Sequence, residues 1–201
     1  MLHEHKDDSH TKISTARLEA FSDGVIAIII TITVLELKVP VGSTWRALFS
    51  LLPLFIAYIV SFQTVGTYWN NHHHLIQATK HVSPGIMWAN LHLLFWLSLI
   101  PFATGWLGEN HGGVLPTALY SSVLLACAIA YFILEYTVIL HAENSQNLKD
   151  EIRKSFKGKI SLASYFLAIL CAFINPIISD ILIFAVTIIW FIPDRRIEKH
   201  L

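Results

Sequence analysis

The sequence predicts an all-α membrane protein, and three observations lead to that prediction. The chain of 201 residues is 54% hydrophobic and only 14% charged, whereas a soluble domain of this size carries about 25% charged residues. Its mean hydropathy is +0.57. Apolar runs recur along the chain, several of them close to the roughly 20 residues that a membrane-spanning helix needs. This composition excludes a disordered chain, a basic nucleic-acid binder and most soluble enzymes.

Six apolar segments are candidate spans, and together they predict a single membrane domain that covers the whole chain. Their approximate bounds are 20–39, 45–68, 86–107, 114–140, 160–174 and 177–192. The last two are short and meet at Asn175 and Pro176, which form a turn signal. These two segments therefore also fit one broken hairpin that barely crosses the membrane.

Lysine and arginine residues predict the orientation of the chain. With six spans, one side of the membrane holds both termini and the second-to-third and fourth-to-fifth connections. That side carries Lys6, Lys12, Arg17, Lys80, Lys149, Arg153, Lys154, Lys157, Lys159, Arg195, Arg196 and Lys199, and the other side carries Lys38 and Arg46. Because cytoplasmic loops are enriched in these residues, we expect both termini in the cytoplasm.

The first span has two chemically different sides. At about 100° per residue, Asp23 lies about 140° around the helix from Ile28. Ile28, Thr31, Ile32 and Leu35 follow the spacing i, i+3, i+4, i+7 and share one face. That face fits packing on lipid or on another helix. A carboxylate inside a membrane is expensive, so Asp23 is either satisfied by neighbouring helices or in contact with an ion or a proton.

Polar residues at the matching ends of the next two spans are candidate partners for Ser22 and Asp23. The segment 69–74 closes the second span, and Asn90 and His92 lie early in the third. The segment contains three consecutive histidines, His72 to His74, which point about 100° apart on a helix and cannot converge on one ion. We therefore predict no metal site. The histidines fit a structural or pH-sensitive cluster, or a solvated loop.

Glu36 stands at the other end of the first span, beside Lys38. Two interpretations remain open for this carboxylate. It is an exposed charge at a helix end, or it belongs to a ring of carboxylates that attracts cations to a pore mouth.

The motif Arg17-x-x-x-Phe21-Ser22-Asp23 resembles the signature of the transmembrane protein 175 family, the unconventional potassium channels of lysosomes and prokaryotes. The resemblance covers most of the chain, although the last three spans match only in general character. It extends to Gly24, Val25, Ile26, Ala27, Ile28 and Thr31, to Trp69, His72 and His73, and to Asn90, Pro101, Phe102 and Gly105.

The resemblance implies a homotetramer whose first spans surround a central pore. The constriction would be Ile28, with Ile32 and Leu35 further along the pore and Thr31 as a polar layer. A hydrogen-bond network behind the pore helix would join Arg17, Ser22, Asp23, Trp69, His73 and Asn90, and Phe21 would be a packing residue of the signature. Ideal helix geometry puts Arg17 and Phe21 within about 20° of the Ile28 face. Either the helix bends near Gly24, or these two residues line the cytoplasmic entrance.

The function that follows from the resemblance is a potassium-permeable cation channel in the inner membrane of a prokaryote. The chain lacks a Thr-Val-Gly-Tyr-Gly filter, so a hydrophobic constriction would give only modest selectivity for K⁺ over Na⁺. We expect K⁺ and other monovalent cations in the pore, lipid around the protein, and no cofactor, metal or nucleic acid. The alternatives are a secondary transporter of a small cation or solute, a membrane enzyme that uses His72 to His74, and a structural membrane protein.

Overall fold

The computed structural model describes residues 14–77, 79, 81–141 and 156–191, and every regular element in these ranges is helical. The helices are α1 (Thr15–Thr33), which continues as a 3₁₀ turn (Val34–Glu36), α2 (Trp45–Phe49), α3 (Leu52–Gln77), α4 (Pro84–Ser98), α5 (Ile100–Glu109), α6 (Val114–His141), α7 (Phe156–Ala172) and α8 (Pro176–Phe191). The prediction of an all-α fold is confirmed for these ranges.

Side chains cap the starts of several helices. Ser14 Oγ accepts a hydrogen bond at 3.4 Å from the backbone N–H three residues later, and Ser83 Oγ accepts the equivalent bond at 3.3 Å. Asn175 Oδ1 accepts one at 3.0 Å from the N–H two residues later. The first N–H groups of a helix have no partner within it, so each cap satisfies one of them. With its cap at Ser14, α1 begins before the predicted bound at residue 20.

The second and third predicted spans are each divided in the structure. Pro53 is the second residue of α3, and Pro101 is the second residue of α5. A proline lacks the N–H that would bond to the preceding turn, so it is tolerated in the first turn of a helix and interrupts a longer one. A hydropathy pattern does not register that missing donor. α3 also continues to Gln77, past the predicted bound at 68, and carries the polar segment 69–74 as helix.

The remaining predicted spans correspond to single helices. α6 and α8 agree with the predicted bounds to within a residue, and α7 is shifted toward the N-terminus. α7 and α8 are two separate helices that pack along each other and meet at Asn175.

α6 is the central helix of the fold, whereas α1 lies at the edge of the fold. α6 packs against α4, α5, α7 and α8, and it contributes fully buried residues such as Leu124, Cys127 and Leu134 to the core. α1 packs mainly against α3, α4 and α5. The subunit therefore covers only one side of α1.

Three helical stretches among the described residues are long and apolar enough to cross a membrane: Thr15–Glu36, Pro84–Glu109 and Val114–His141. A shorter apolar helix covers Pro176–Trp190. A count of six spans in one domain stays a prediction. So does the orientation, because many of the basic residues behind it lie outside the described residues, namely Lys6, Lys12, Lys80, Lys149, Arg153, Lys154, Arg195, Arg196 and Lys199.

Candidate functional site

The two sides of α1 have opposite environments in the structure. The side that faces the subunit carries the buried residues Leu18, Ser22, Ile26, Ile29 and Thr33. On the other side, Ile28 is 56% exposed, Ile32 43% and Leu35 75%. We call the exposed residues Phe21, Ile28, Thr31, Ile32 and Leu35 the α1 stripe. The structure thus brings the four predicted pore residues together on a surface that the subunit leaves uncovered.

Thr31 presents only acceptor lone pairs to its surroundings. Its hydroxyl donates within the helix to the carbonyl oxygens of Ala27 and Ile28, both at 3.0 Å. Because the proton is engaged inside the helix, the outward side of Oγ1 is an electron-rich oxygen on an otherwise apolar stripe. A cation next to the stripe would therefore find an oxygen ligand at Thr31.

A buried chain of hydrogen bonds joins α1 to α4 and α3 behind the stripe. Ser22 Oγ donates to the carbonyl oxygen of Leu18 at 2.9 Å, so it accepts the 2.9 Å bond from Asn90 Nδ2. The amide oxygen of Asn90 then faces His72 Nε2 at 2.7 Å, and this ring nitrogen must be the donor. Ser22, Asn90 and His72 are all fully buried. The directions of the three bonds assign the Nε2–H form to the imidazole of His72.

Two further contacts link α1 to α3 on the same side of α1. The indole Nε1–H of Trp69 donates to Asp23 Oδ1 at 3.0 Å. One turn away on both helices, His73 Nδ1 pairs with Glu19 Oε1. Glu19 precedes Asp23 by four residues on α1, whereas its partner His73 follows Trp69 by four residues on α3. This opposite order is expected for antiparallel neighbouring helices. Gln77 extends the contact through a 3.0 Å bond from its side-chain amide to the other ring nitrogen of His73.

The remaining predicted site residues lie apart from these contacts. The side chain of Arg17 is exposed and has no hydrogen bond or ion pair to the rest of the described chain. Phe21 is 54% exposed on the α1 stripe, so it does not pack inside the subunit. α1 runs without interruption from Thr15 to Thr33. Arg17 and Phe21 therefore share the exposed side of an unbroken helix.

Sequence reasoning missed Glu19, and it named His72 only as one of a run of candidate partners, outside the network that the resemblance implied. The signal was present in the spacing: Glu19 precedes Asp23 by four residues, as Trp69 precedes His73, so antiparallel helices would pair both sets. Nothing comparable marks His72, whose burial depends on how α3 packs. Over the described ranges, no group of three His, Cys, Asp or Glu residues is arranged to hold a metal ion.

A surface groove runs along one flank of the α1 stripe. Its lining residues come from α1, the following 3₁₀ turn and the junction of α4 with α5: Val25, Ile28, Ile29, Ile32, Glu36, Ser98, Pro101 and Phe102. The break at Pro101 thus opens a space directly beside the isoleucines.

Known proteins share this arrangement of helices and motifs. A sequence model of the family described as "Endosomal/lysosomal potassium channel TMEM175" matches residues 17–101. A potassium channel of Chryseobacterium sp. (strain P1-3) is 54% identical over 189 residues, which is 94% of this chain and 98% of that protein. The mouse endosomal/lysosomal proton channel TMEM175 is 29% identical over 150 residues, or 67% of this chain and 30% of its own length.

A solved structure is similar as well. It is the crystal structure of a lysosomal potassium-selective channel TMEM175 homologue from Chamaesiphon minutus, which has 30% sequence identity and a TM-score of 0.77. The match covers 88% of this chain and 95% of the crystallised chain.

The fold and these similarities define a multi-pass, all-helical membrane protein with bacterial homologues. The chain belongs to the TMEM175 family. This is a family of ion channels, so the protein is not an enzyme. The resemblance inferred from the Arg17–Asp23 motif is confirmed.

Proposed function

We propose that this protein is a potassium-permeable cation channel of a prokaryotic inner membrane. Four copies surround a central pore, each copy crosses the membrane six times, and both termini lie in the cytoplasm. The α1 stripe lines the pore and Ile28 forms its constriction. The similarity to bacterial potassium channels and the uncovered stripe support this proposal.

The single observation that carries the proposal is the rotation of α1. Its polar residues Ser22 and Asp23 bond to α4 and α3 of the same subunit. Ile28, Ile32 and Leu35 point away from that subunit, toward lipid or another helix. Four α1 helices around an axis would bury these side chains against one another and would leave only a narrow apolar passage.

An apolar passage discriminates between cations by the cost of dehydration. Isoleucine side chains offer no oxygen to replace a hydration shell, and K⁺ holds its water less tightly than Na⁺. The constriction would therefore pass K⁺ more readily than Na⁺, with modest selectivity and with permeation of Cs⁺. The outward lone pairs of Thr31 would stabilise a partly hydrated ion one turn beyond Ile28.

A secondary transporter of a small cation or solute is the alternative function. Transporters bind their substrates near the membrane midplane, at broken helices that carry polar or charged groups. In this chain the polar contacts of α1 gather near one of its ends, and the residues from Val25 to Ile30 are apolar. The break between α4 and α5 is the feature that favours a transporter. Saturable flux that requires a co-ion would support the transporter and contradict the channel.

The deciding experiment is planar-bilayer recording of the purified protein between K⁺ and Na⁺ solutions. We expect Ile28→Asn to wet the constriction and to move the reversal potential toward zero. Ile59→Asn is the matched control, because Ile59 on α3 is similarly exposed at 48% but lies outside the α1 stripe. An unchanged reversal potential in Ile28→Asn, or an equal shift in Ile59→Asn, would contradict the assignment of the pore.

A further inference from the structure

Glu36 is a half-buried carboxylate without a hydrogen-bond or ion-pair partner in the part of the chain that the structure describes. It lies in the 3₁₀ turn that follows α1. None of its oxygens forms a hydrogen bond or an ion pair with another of the described residues. The nearest lysine in sequence, Lys38, is engaged elsewhere, since its Nζ lies 2.6 Å from Glu109 Oε1. The negative charge of Glu36 is therefore not neutralised by another of the described residues.

The carboxylate of Glu36 lies against the backbone of α5, where Gly105 leaves room for it. A Cβ atom placed on Gly105 would clash with Glu36 Oε2 and stand 3.0 Å from its Cδ. Even an alanine would thus displace the carboxylate. Because Gly105 has no side chain, the Glu36 carboxylate can approach the backbone of α5 closely. This contact determines the position of the negative charge.

The same carboxylate stands at one end of the proposed pore surface. Glu36 lines the groove that also contains Ile28 and Ile32. The three residues are spaced by four, which turns a helix by about 40° at each step, so Glu36 lies past the end of α1 on the groove side of the α1 stripe, about 80° around from Ile28. The opposite end of α1 carries the contacts of Asp23 and Glu19 with α3. Glu36 therefore marks the entrance on the far side of the apolar constriction.

We propose that the Glu36 carboxylates of four copies, each packed against Gly105 of its own subunit, form a ring that concentrates cations at one pore entrance. This entrance is the one at the opposite end of α1 from Asp23. This inference rests on the proposed function, because it needs four α1 helices around one axis. Rings of acidic side chains at a pore mouth raise the local concentration of cations. Salt screens this effect, since the Debye length falls from about 30 Å at 0.01 M to about 3 Å at 1 M ionic strength. The ring acts on the rate of ion entry, while the constriction acts on the choice between K⁺ and Na⁺.

Single-channel recording of Glu36→Gln at low and high KCl tests the proposal. We expect the current entering from the Glu36 side to fall at least about twofold at 0.01–0.05 M KCl and to match the unmodified protein at 1 M. The ratio of K⁺ to Na⁺ permeability should stay unchanged. Glu109→Gln is the matched control, because it removes the same charge from a residue that pairs with Lys38 and does not line the groove. An equal loss of current in Glu109→Gln would overturn the specific role of Glu36.

Gly105→Ala provides an independent test, since it moves the carboxylate without removing its charge. We expect it to change the low-salt current in the presence of Glu36 and to have no further effect in the Glu36→Gln background. If Gly105→Ala changes the low-salt current equally in both backgrounds, the proposed contact of Glu36 with Gly105 is wrong. If Gly105→Ala does not assemble, Glu36→Gln decides the question alone.

The failure of this inference is distinguishable from failure of the proposed function. Normal low-salt current in Glu36→Gln, together with altered selectivity in Ile28→Asn, would overturn the carboxylate ring and leave the pore assignment intact. Unaltered selectivity in Ile28→Asn would overturn both.

Discussion

Trp69 holds Asp23 through an indole N–H bond of 3.0 Å, and this contact connects the C-terminal part of α3 to the third turn of α1. Glu19 and His73 repeat the connection one turn away. The buried bond between Asn90 and Ser22 adds a third point of attachment from α4. These contacts leave α1 no freedom to rotate about its own axis, so they determine which side chains it presents outward.

Removing the carboxylate of Asp23 should impair assembly or gating more than selectivity. In Asp23→Ala the indole N–H of Trp69 loses its acceptor and α1 loses one of its attachments. We expect less tetramer by native mass measurement or a changed open probability, while the channels that still open keep their K⁺ to Na⁺ permeability ratio. Asp180→Asn on α8 is the control and should leave both unchanged. A clean change of selectivity with normal assembly would contradict a positioning role for Asp23.

Asn90→Ala should destabilise the subunit because it breaks the buried chain of hydrogen bonds at its centre. The Nε2–H group of His72 loses its acceptor, and an unsatisfied buried group costs about 1–3 kcal/mol, whereas Ser22 Oγ keeps its bond to the carbonyl oxygen of Leu18. The loss would appear as a lower thermal unfolding midpoint of the detergent-solubilised protein. Thr67→Ala removes a hydroxyl that bonds only to the carbonyl of Gln63 in its own helix, so it should change the midpoint little. Equal midpoints for the two variants would refute the importance of the buried chain.

Thr31→Val should reduce the preference for K⁺ over Na⁺ because it removes the only oxygen on the α1 stripe. We expect a permeability ratio that is lower by roughly two- to threefold, and Thr31→Ser should restore most of it. Thr33→Val is the matched control, since Thr33 is buried and its hydroxyl bonds to the carbonyl of Ile29. Bi-ionic reversal potentials measure the three variants. A loss of selectivity in Thr33→Val as large as in Thr31→Val would argue against an ion contact at Thr31.

Gly108→Ala should weaken the packing of α5 on α3. A Cβ atom at Gly108 would stand 2.7 Å from the Cα atom of Leu54, which cannot move away without shifting the backbone of α3. Gly66→Ala on α3 is the control, because a Cβ atom there meets nothing within 4 Å. Alanine favours a helix over glycine by up to about 1 kcal/mol, so Gly66→Ala should be neutral or stabilising. A thermal midpoint for Gly108→Ala that equals or exceeds that of Gly66→Ala would disprove the close approach.

Periodicity alone predicted that Ile28, Thr31, Ile32 and Leu35 share one side of α1 and that Asp23 lies away from it, because both depend only on 3.6 residues per turn. The breaks at Pro53 and Pro101 were less visible, since a hydropathy pattern stays apolar across a missing N–H. The pairing of Glu19 with His73 required knowing that α1 and α3 are antiparallel neighbours. The contact of the Glu36 carboxylate with Gly105 could not be predicted from the sequence, because tertiary packing brings together residues that are 69 positions apart (105 − 36).

The α1 stripe takes almost no part in the folding core of its own subunit, whereas the opposite side of the same helix is anchored by buried polar bonds. In the proposed pore, substitutions along the stripe would therefore change mainly the contacts between copies and with the permeating ion. Conduction properties would then diversify while the subunit fold stays intact, and the pore surface could be redesigned one helical turn at a time without changing the helices that support it.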